Sequence, residues 1–149
     1  MEKPDKRIVE FIKDHHVLTL ATSKNNIPYC SNCFYTYIEE LNSFVFTSDS
    51  NTRHIEEATQ QPFVAGSIVL ETSIVGKIQG IQFSGKMFEP EGENKKIANM
   101  AYLKRFPFAI LMKTTIWILE VSFLKMTDNR LGFGKKLLWE NEKGNFENK

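Results

Sequence analysis

From Thr47 to His54 the chain reads TSDSNTRH, six small polar residues followed by an arginine and a histidine. FVFTS, which ends in the first two of them, suits a strand, and IEEATQQ, which follows, suits a helix. One helix start needs one capping side chain, yet Thr47, Ser48, Ser50 and Thr52 all offer hydroxyls. Backbone N–H groups at such a junction point outward with a partial positive charge and favour a phosphate. The hydroxyls would add donors and Arg53 a planar fork, with His54 beside them. The segment equally suits a polar loop that holds an N-cap and solvated charges. Spacing alone leaves both readings open.

Other chemically suggestive groupings fail on spacing or context. Cys30-Ser-Asn-Cys33 has the spacing of a zinc or redox pair, but it falls in the β-rich run 28–38, where residues three apart point to opposite faces. No helix start follows it, as a redox motif needs, and no second cysteine pair exists to complete a metal site. Ordinary strand cysteines are expected. In LGFGKK (131–136) the Gly-x-Gly lacks the third glycine of a dinucleotide fingerprint, because Leu137 stands there. His15, His16 and His54 lack metal-ligand spacing. There is no Walker sequence and no Gly-x-Ser-x-Gly elbow. Hydrolase, kinase and metalloenzyme chemistry find no support, and no metal site is expected.

The elements that must carry the polar junction follow from periodicity. Pro4 with Ile8, Phe11 and Ile12 gives a short amphipathic helix over 4–14. Val17–Thr22 is a buried-strand run, Asn25-Asn26 suits a turn with positive φ, and Pro28–Ile38 and the FVFTS strand continue an antiparallel meander. A helix over 52–60 precedes strands at Phe63–Leu70 and Ile81–Phe88, the latter with Ile81, Phe83, Gly85 and Met87 on one face. IVGKIQG reads as a loop or strand bend. EGENKKIANMAYLKRF reads as a helix with Ile97, Met100 and Ala101 inward, ended by Pro107. Thr115–Thr127 is the longest strand, with Trp117, Leu119, Val121 and Phe123 holding its pattern to the end. Trp117 is expected to fill a barrel, and Tyr29, Tyr35 and Tyr37 to pack in its core or in a dimer. The fold class expected is α+β: a six-stranded, mostly antiparallel, closed or nearly closed β-barrel with three peripheral helices.

With 149 residues, 42% of them hydrophobic and 25% charged, the chain fits one domain over 1–140, and the polar tail 141–149 is expected to be disordered. A chain of this size buries roughly 70% of its unfolded surface. A net charge of +1 argues against a nucleic-acid partner, which needs a basic face, while leaving room for one small anionic ligand. No apolar run approaches the ~18 residues of a membrane span. No apolar signal core opens the chain, and with two cysteines this points to a reducing cytoplasm.

From Val17 to Phe88 the sequence resembles the pyridoxamine-5′-phosphate-oxidase-like family of FMN-binding split barrels. The likeness lies in an ordered series: Leu-Ala-Thr (20–22), Pro28 opening a long second strand, Phe-x-Phe-Thr-Ser (44–48), Arg53-His54 at a helix start, Gln-Pro (61–62), and Gln82-Phe-Ser-Gly-Lys86. TDNRLGFGKKLLW (127–139) is similar to the bacterial YhbP-type members. The resemblance implies a homodimer with FMN in a cleft between the subunits. By position, Ser31, Asn32 and Cys33 would lie along the flavin ring, and Phe46, Thr47 and Ser48 would border the ring and ribityl chain. Thr52 and Arg53 would take the phosphate, Gln82 or Gln79 would reach the ring edge, and Trp139 with Lys135 or Lys136 would close the cleft.

The chain departs from the family's oxidases in one respect. Their second strand carries a basic pair, and the aligned positions here are Ser31 and Thr36. Each charge-assisted bond is typically worth ~1.5–3 kcal/mol, and the oxidase's carboxyl-terminal substrate segment is also unrecognisable, so vitamin-phosphate oxidation is not expected. Two functions remain: an FMN-dependent oxidoreductase acting on a small substrate, or a non-catalytic barrel dimer with weak or lost flavin binding. Haem is a third option, with His15, His16 or His54 as its axial ligand.

Overall fold

The computed structural model describes residues 3–141. The expected disordered tail lies outside the described residues, Asn141 excepted. Seven strands run in chain order as β1 (Val17–Lys24), β2 (Ile27–Ile38), β3 (Ser43–Ser48), β4 (Phe63–Val69), β5 (Gln79–Phe88), β6 (Thr115–Asp128) and β7 (Lys136–Glu140). Three α-helices accompany them: α1 (Lys6–Asp14), α2 (Arg53–Gln60) and α3 (Gly92–Arg105). Every strand pairing is antiparallel, in the order β3-β2-β1-β4-β5-β6-β7, and β3 also pairs with β6. Six strands thus close into a ring, and closure removes the exposed edges that an open sheet would leave. The seventh was not expected from the sequence. It begins at Lys136, the last residue of LGFGKK, and its five residues pair with β6 beyond the stretch that holds β3.

The turn between β1 and β2 is the two-residue kind that the sequence suggests. Asn25 and Asn26 have φ of 51° and 63°, and Lys24 pairs with Ile27. Its register sets which side chains enter the barrel. Leu18 and Leu20 face Cys33 and Ser31, Tyr35 faces Phe46, and Phe46 faces Trp117. Phe44 lies in the middle, 5.2 Å from the Tyr35 ring and 4.7 Å from the Phe83 ring. Each such fully buried aromatic contributes roughly 1.5–3 kcal/mol by leaving water. Gly66 gives this packing its room, since a Cβ there would sit 2.3 Å from Phe83 Cζ and from the Thr19 carbonyl oxygen.

Two expectations about facing are corrected. In β6 the inward set runs Trp117, Leu119, Val121 and then changes phase to Leu124, Met126 and Asp128, leaving Phe123 half-exposed. The cause is a bulge: Ser84 pairs with Phe123 and Gly85 with Val121, so Ser122 is the extra residue. In α3 the buried side chains are Ala98 and Tyr102, whereas Met100 is 72% exposed. Apolar residues surround much of that helix, so periodicity alone does not choose its inner face.

The helices occupy different parts of the barrel. α2 lies over the end marked by Thr22, whose hydroxyl donates to Glu57 Oε2 at 2.8 Å. α1 buries Ile8, Val9, Phe11 and Ile12, and Tyr35 donates its hydroxyl to the Ile12 carbonyl at 2.6 Å. α3 packs on β2, β3 and β6. On the outward faces of β1 and β4, Val17, Phe63 and Val69 are exposed.

Candidate functional site: an apolar cleft beside β2 and β3

Where β3 ends and α3 comes close, the structure opens a cleft of ≈ 500 Å³, within the ~300–1,000 Å³ range of small-molecule sites. Its floor is Asn32, Cys33 and Phe34 of β2 with Thr47 and Ser48 of β3. His54 borders it from α2, Tyr102 and Arg105 from α3, and the short turn after α3 supplies Phe106, Pro107, Phe108, Ala109 and Met112. Pro107 ends α3 and starts that turn, which folds the apolar residues back over the strands. Aromatic walls with a few polar groups suit a planar ligand. No carboxylate lines the cleft, and Arg105 is the one permanently charged group among its lining residues.

Two hydroxyls of the Thr47–Thr52 run, those of Ser48 and Thr52, are bonded to each other and to their neighbours. Thr52 Oγ1 donates to the Asp49 carbonyl at 2.9 Å, Ser48 Oγ lies 3.2 Å from Thr52 Oγ1, and His54 Nε2 lies 2.8 Å from Ser48 Oγ. Because the Thr52 hydrogen is used, a consistent chain runs from His54 through Ser48 and Thr52 to the Asp49 carbonyl. Thr52 is the N-cap of α2 yet makes no side-chain capping bond. The run is a braced junction. His54 is partly buried, and that burial holds its imidazole below the ordinary value of 6.5, so it is neutral near pH 7.

Of the ten site residues expected from the sequence, Asn32, Cys33, Thr47 and Ser48 come together in this cleft. Asn32 accepts from Thr19 through Oδ1 at 3.0 Å, which leaves its amide N–H groups as donors. Thr47 donates to the Tyr102 hydroxyl at 3.4 Å. Burial pushes the Cys33 thiol up to about 11, only partly offset by Ser31 on the same face, so it is a neutral wall and no nucleophile. Ser31 shares the inward face of β2 with Cys33, and its Oγ is buried beside that thiol.

The remaining five sit elsewhere in this chain. Phe46 is wholly buried in the barrel. Thr52 supports Ser48 from behind. Arg53 Nε donates to Glu57 Oε1 at 2.8 Å, and its guanidinium lies 4.2 Å from the Tyr29 ring centroid. Gln82 is on the outward face of β5, facing Ser67, and lines a separate groove of ≈ 320 Å³ with Gln79. Trp139 is buried on β7 opposite Leu124.

Phe34, Tyr102, Arg105 and the turn after α3 were missed by sequence reasoning. Arg105 looks in sequence like an ordinary cation in the last turn of a helix, and only the fold brings it to β2. Among the described residues no group of three potential metal ligands occurs. His15 stacks on Phe11 at 4.0 Å, His16 meets the edge of Phe106, and His54 is the histidine that lines the cleft.

Across 133 residues, 89% of this chain and 93% of the relative, the sequence is 42% identical to a UPF0306 protein of Photorhabdus laumondii. The chain belongs to the UPF0306 family. It is also 34% identical over 137 residues to the UPF0306 protein YhbP of Escherichia fergusonii, covering 92% of this chain and 93% of that one. No family model matches the sequence. Among solved structures, a haem-binding protein from Mycobacterium smegmatis superposes with a TM-score of 0.75 at 18% identity, over 94% of this chain and 60% of that longer one. A FAD-binding protein from Mesorhizobium loti superposes with a TM-score of 0.67 at 14% identity, over 80% of this chain and 91% of that one. Such identities establish the α+β split-barrel fold, the class that the strand order of this UPF0306 protein suggested.

Proposed function

We propose that this UPF0306 protein binds FMN, with the flavin ring in the cleft between β2, β3 and the turn after α3. The observation that carries the reading is the convergence of Asn32, Cys33, Thr47 and Ser48, separated in sequence, on one apolar cleft. The residues suit the group: Phe34, Phe106 and Phe108 supply apolar walls for a planar ring, and the Asn32 amide and the Tyr102 hydroxyl supply donors for its polar edge. A bound flavin would supply two-electron transfer, while the protein binds, orients and excludes water.

The same reading takes the protein as a homodimer. Its support is the outward face of β1 and β4, where Val17, Phe63 and Val69 are 43%, 45% and 66% exposed. Ala21 and Ala65 pair at the middle of that face and keep it low enough for close approach of a second sheet. Gln82 of β5, the strand next to β4, pairs with Ser67 there and borders the same face.

A second reading, haem, is favoured by His54, an imidazole in the cleft whose burial disfavours its charged form, and by the likeness in fold to the haem-binding Mycobacterium smegmatis protein. One experiment separates the two. Protein produced in cells supplied with riboflavin and haem precursor is purified and its absorbance recorded. Flavin bands near one equivalent per chain support the proposal, a Soret band supports haem, and a colourless protein that takes up neither on reconstitution contradicts both. Retained flavin would also favour an oxidoreductase over a carrier, and oxidation of reduced nicotinamides would then be assayed.

A further inference from the structure

A flavin mononucleotide has an anionic end, and the sequence pattern offers Arg53 for it. In the structure Arg53 is already neutralised by Glu57, at 2.8 Å, and lies outside the cleft lining. The cation at the cleft is Arg105. It ends α3, and its Nη2 donates to the carbonyls of Lys13, at 3.0 Å, and His15 at the close of α1. Those partners are uncharged, and no carboxylate pairs with Arg105 among the described residues. Its Nε and Nη1 hydrogens make no bond there either. The guanidinium is half-buried, with the Tyr35 and Phe106 ring centroids 5.4 Å and 5.7 Å from its carbon. Tyr102, one turn earlier on α3, accepts from Thr47 and keeps its own hydrogen to donate. A positioned, uncompensated guanidinium beside apolar rings is an anion site, because the local dielectric is low and its planar fork matches phosphate and carboxylate alike.

We infer that Arg105 holds the anionic group, a phosphate monoester or a carboxylate, of a planar and largely apolar ligand in this cleft. The inference rests on the cofactor reading above. It also accounts for the neutral Ser31 and Thr36: the positive charge that the second strand lacks comes instead from the end of α3.

Two ligand pairs differ in the anion alone. Riboflavin is FMN without its phosphate, and haemin dimethyl ester is haemin with both propionates masked. Wild type, Arg105→Gln and Arg105→Lys are titrated with all four ligands, following flavin fluorescence or Soret absorbance, with melting curves for each variant. Wild type should prefer the charged member of the pair it binds by about tenfold or more, as one strong charge-assisted contact allows. The pair that binds tells phosphate from carboxylate. Arg105→Gln should remove that preference and leave the uncharged member within about twofold, and Arg105→Lys should keep part of it. A preference that survives Arg105→Gln, or an equal loss for both members, overturns the inference and leaves the cofactor reading standing. If Arg105→Gln does not fold, Arg105→Lys decides, and a preference unchanged from wild type overturns it. Wild type that binds none of the four overturns the cofactor reading and this inference together.

Discussion

Ser48 Oγ lies 2.8 Å from His54 Nε2, which ties the end of β3 to the start of α2. Burial holds the His54 imidazole below 6.5. The folded chain therefore binds this proton more weakly than the unfolded chain. Stability is fully present above about 6.5 and falls as pH drops from there through the lower folded value. His54→Gln keeps a group able to bond Ser48 and removes the titration. Its melting temperature should fall less steeply than that of wild type between pH ~7 and ~5. Parallel profiles would contradict this.

Arg53 and Glu57 form an ion pair on α2, and Thr22 donates to the same carboxylate; none of the three lines the cleft. The pair and the Thr22 bond together hold the Glu57 carboxyl below 4.5, so their contribution is present above that value and fades as pH falls below it. Arg53→Ala should lower the melting temperature at pH 7 and narrow its gap to wild type in acid. FMN affinity should stay within about twofold, as for residues that share no partner with the ligand. A tenfold loss of affinity, by isothermal calorimetry, would return the phosphate site to Arg53.

Gly85 sits where β5 crosses the bulge of β6, and a Cβ there would lie 2.1 Å from the Glu120 carbonyl oxygen. The obstacle is backbone, so it cannot turn aside. Gly85→Ala should cost about 3 kcal/mol, at the upper end of ordinary overpacking, read from urea unfolding. The same change at Gly76, where nothing lies within 4 Å, should cost under about 0.5 kcal/mol.

Ala65 lies at the centre of the open sheet face, paired with Ala21 and Ser84. If two copies meet there, Ala65→Arg places a charge against its counterpart and should convert the dimer to a monomer with little change in far-ultraviolet circular dichroism. Sedimentation velocity reads the outcome. An unaltered dimer would move the interface elsewhere, and a monomeric wild type would remove it.

How much of this could be read in advance varies by element. The meander from Val17 to Ser48 was legible because alternation, the Asn25-Asn26 turn and strand length agree, and local signals agreeing with one another specify a fold. β7 was not, because Lys136–Glu140 gains its strand conformation only by pairing with β6. The phase change at Ser122 was invisible for the same reason: a bulge is a property of two strands. At the site, β2 and β3 gave Asn32, Cys33, Thr47 and Ser48, while Tyr102 and Arg105 come from a helix about 55 residues later, brought there by packing. In the polar run that suggests an anion site, Ser48 and Thr52 spend their hydroxyls on each other, His54 and the Asp49 carbonyl.

The measurement that bears most directly on the cleft is a fluorescence titration of FMN with wild type and with Ala109→Trp, whose indole would occupy the space between the turn after α3 and β2. A cleft that holds the flavin predicts saturable quenching at one FMN per chain for wild type, weakened about tenfold or more in Ala109→Trp, with both proteins melting alike. Quenching that is absent in wild type, or equal in the two proteins, would contradict it.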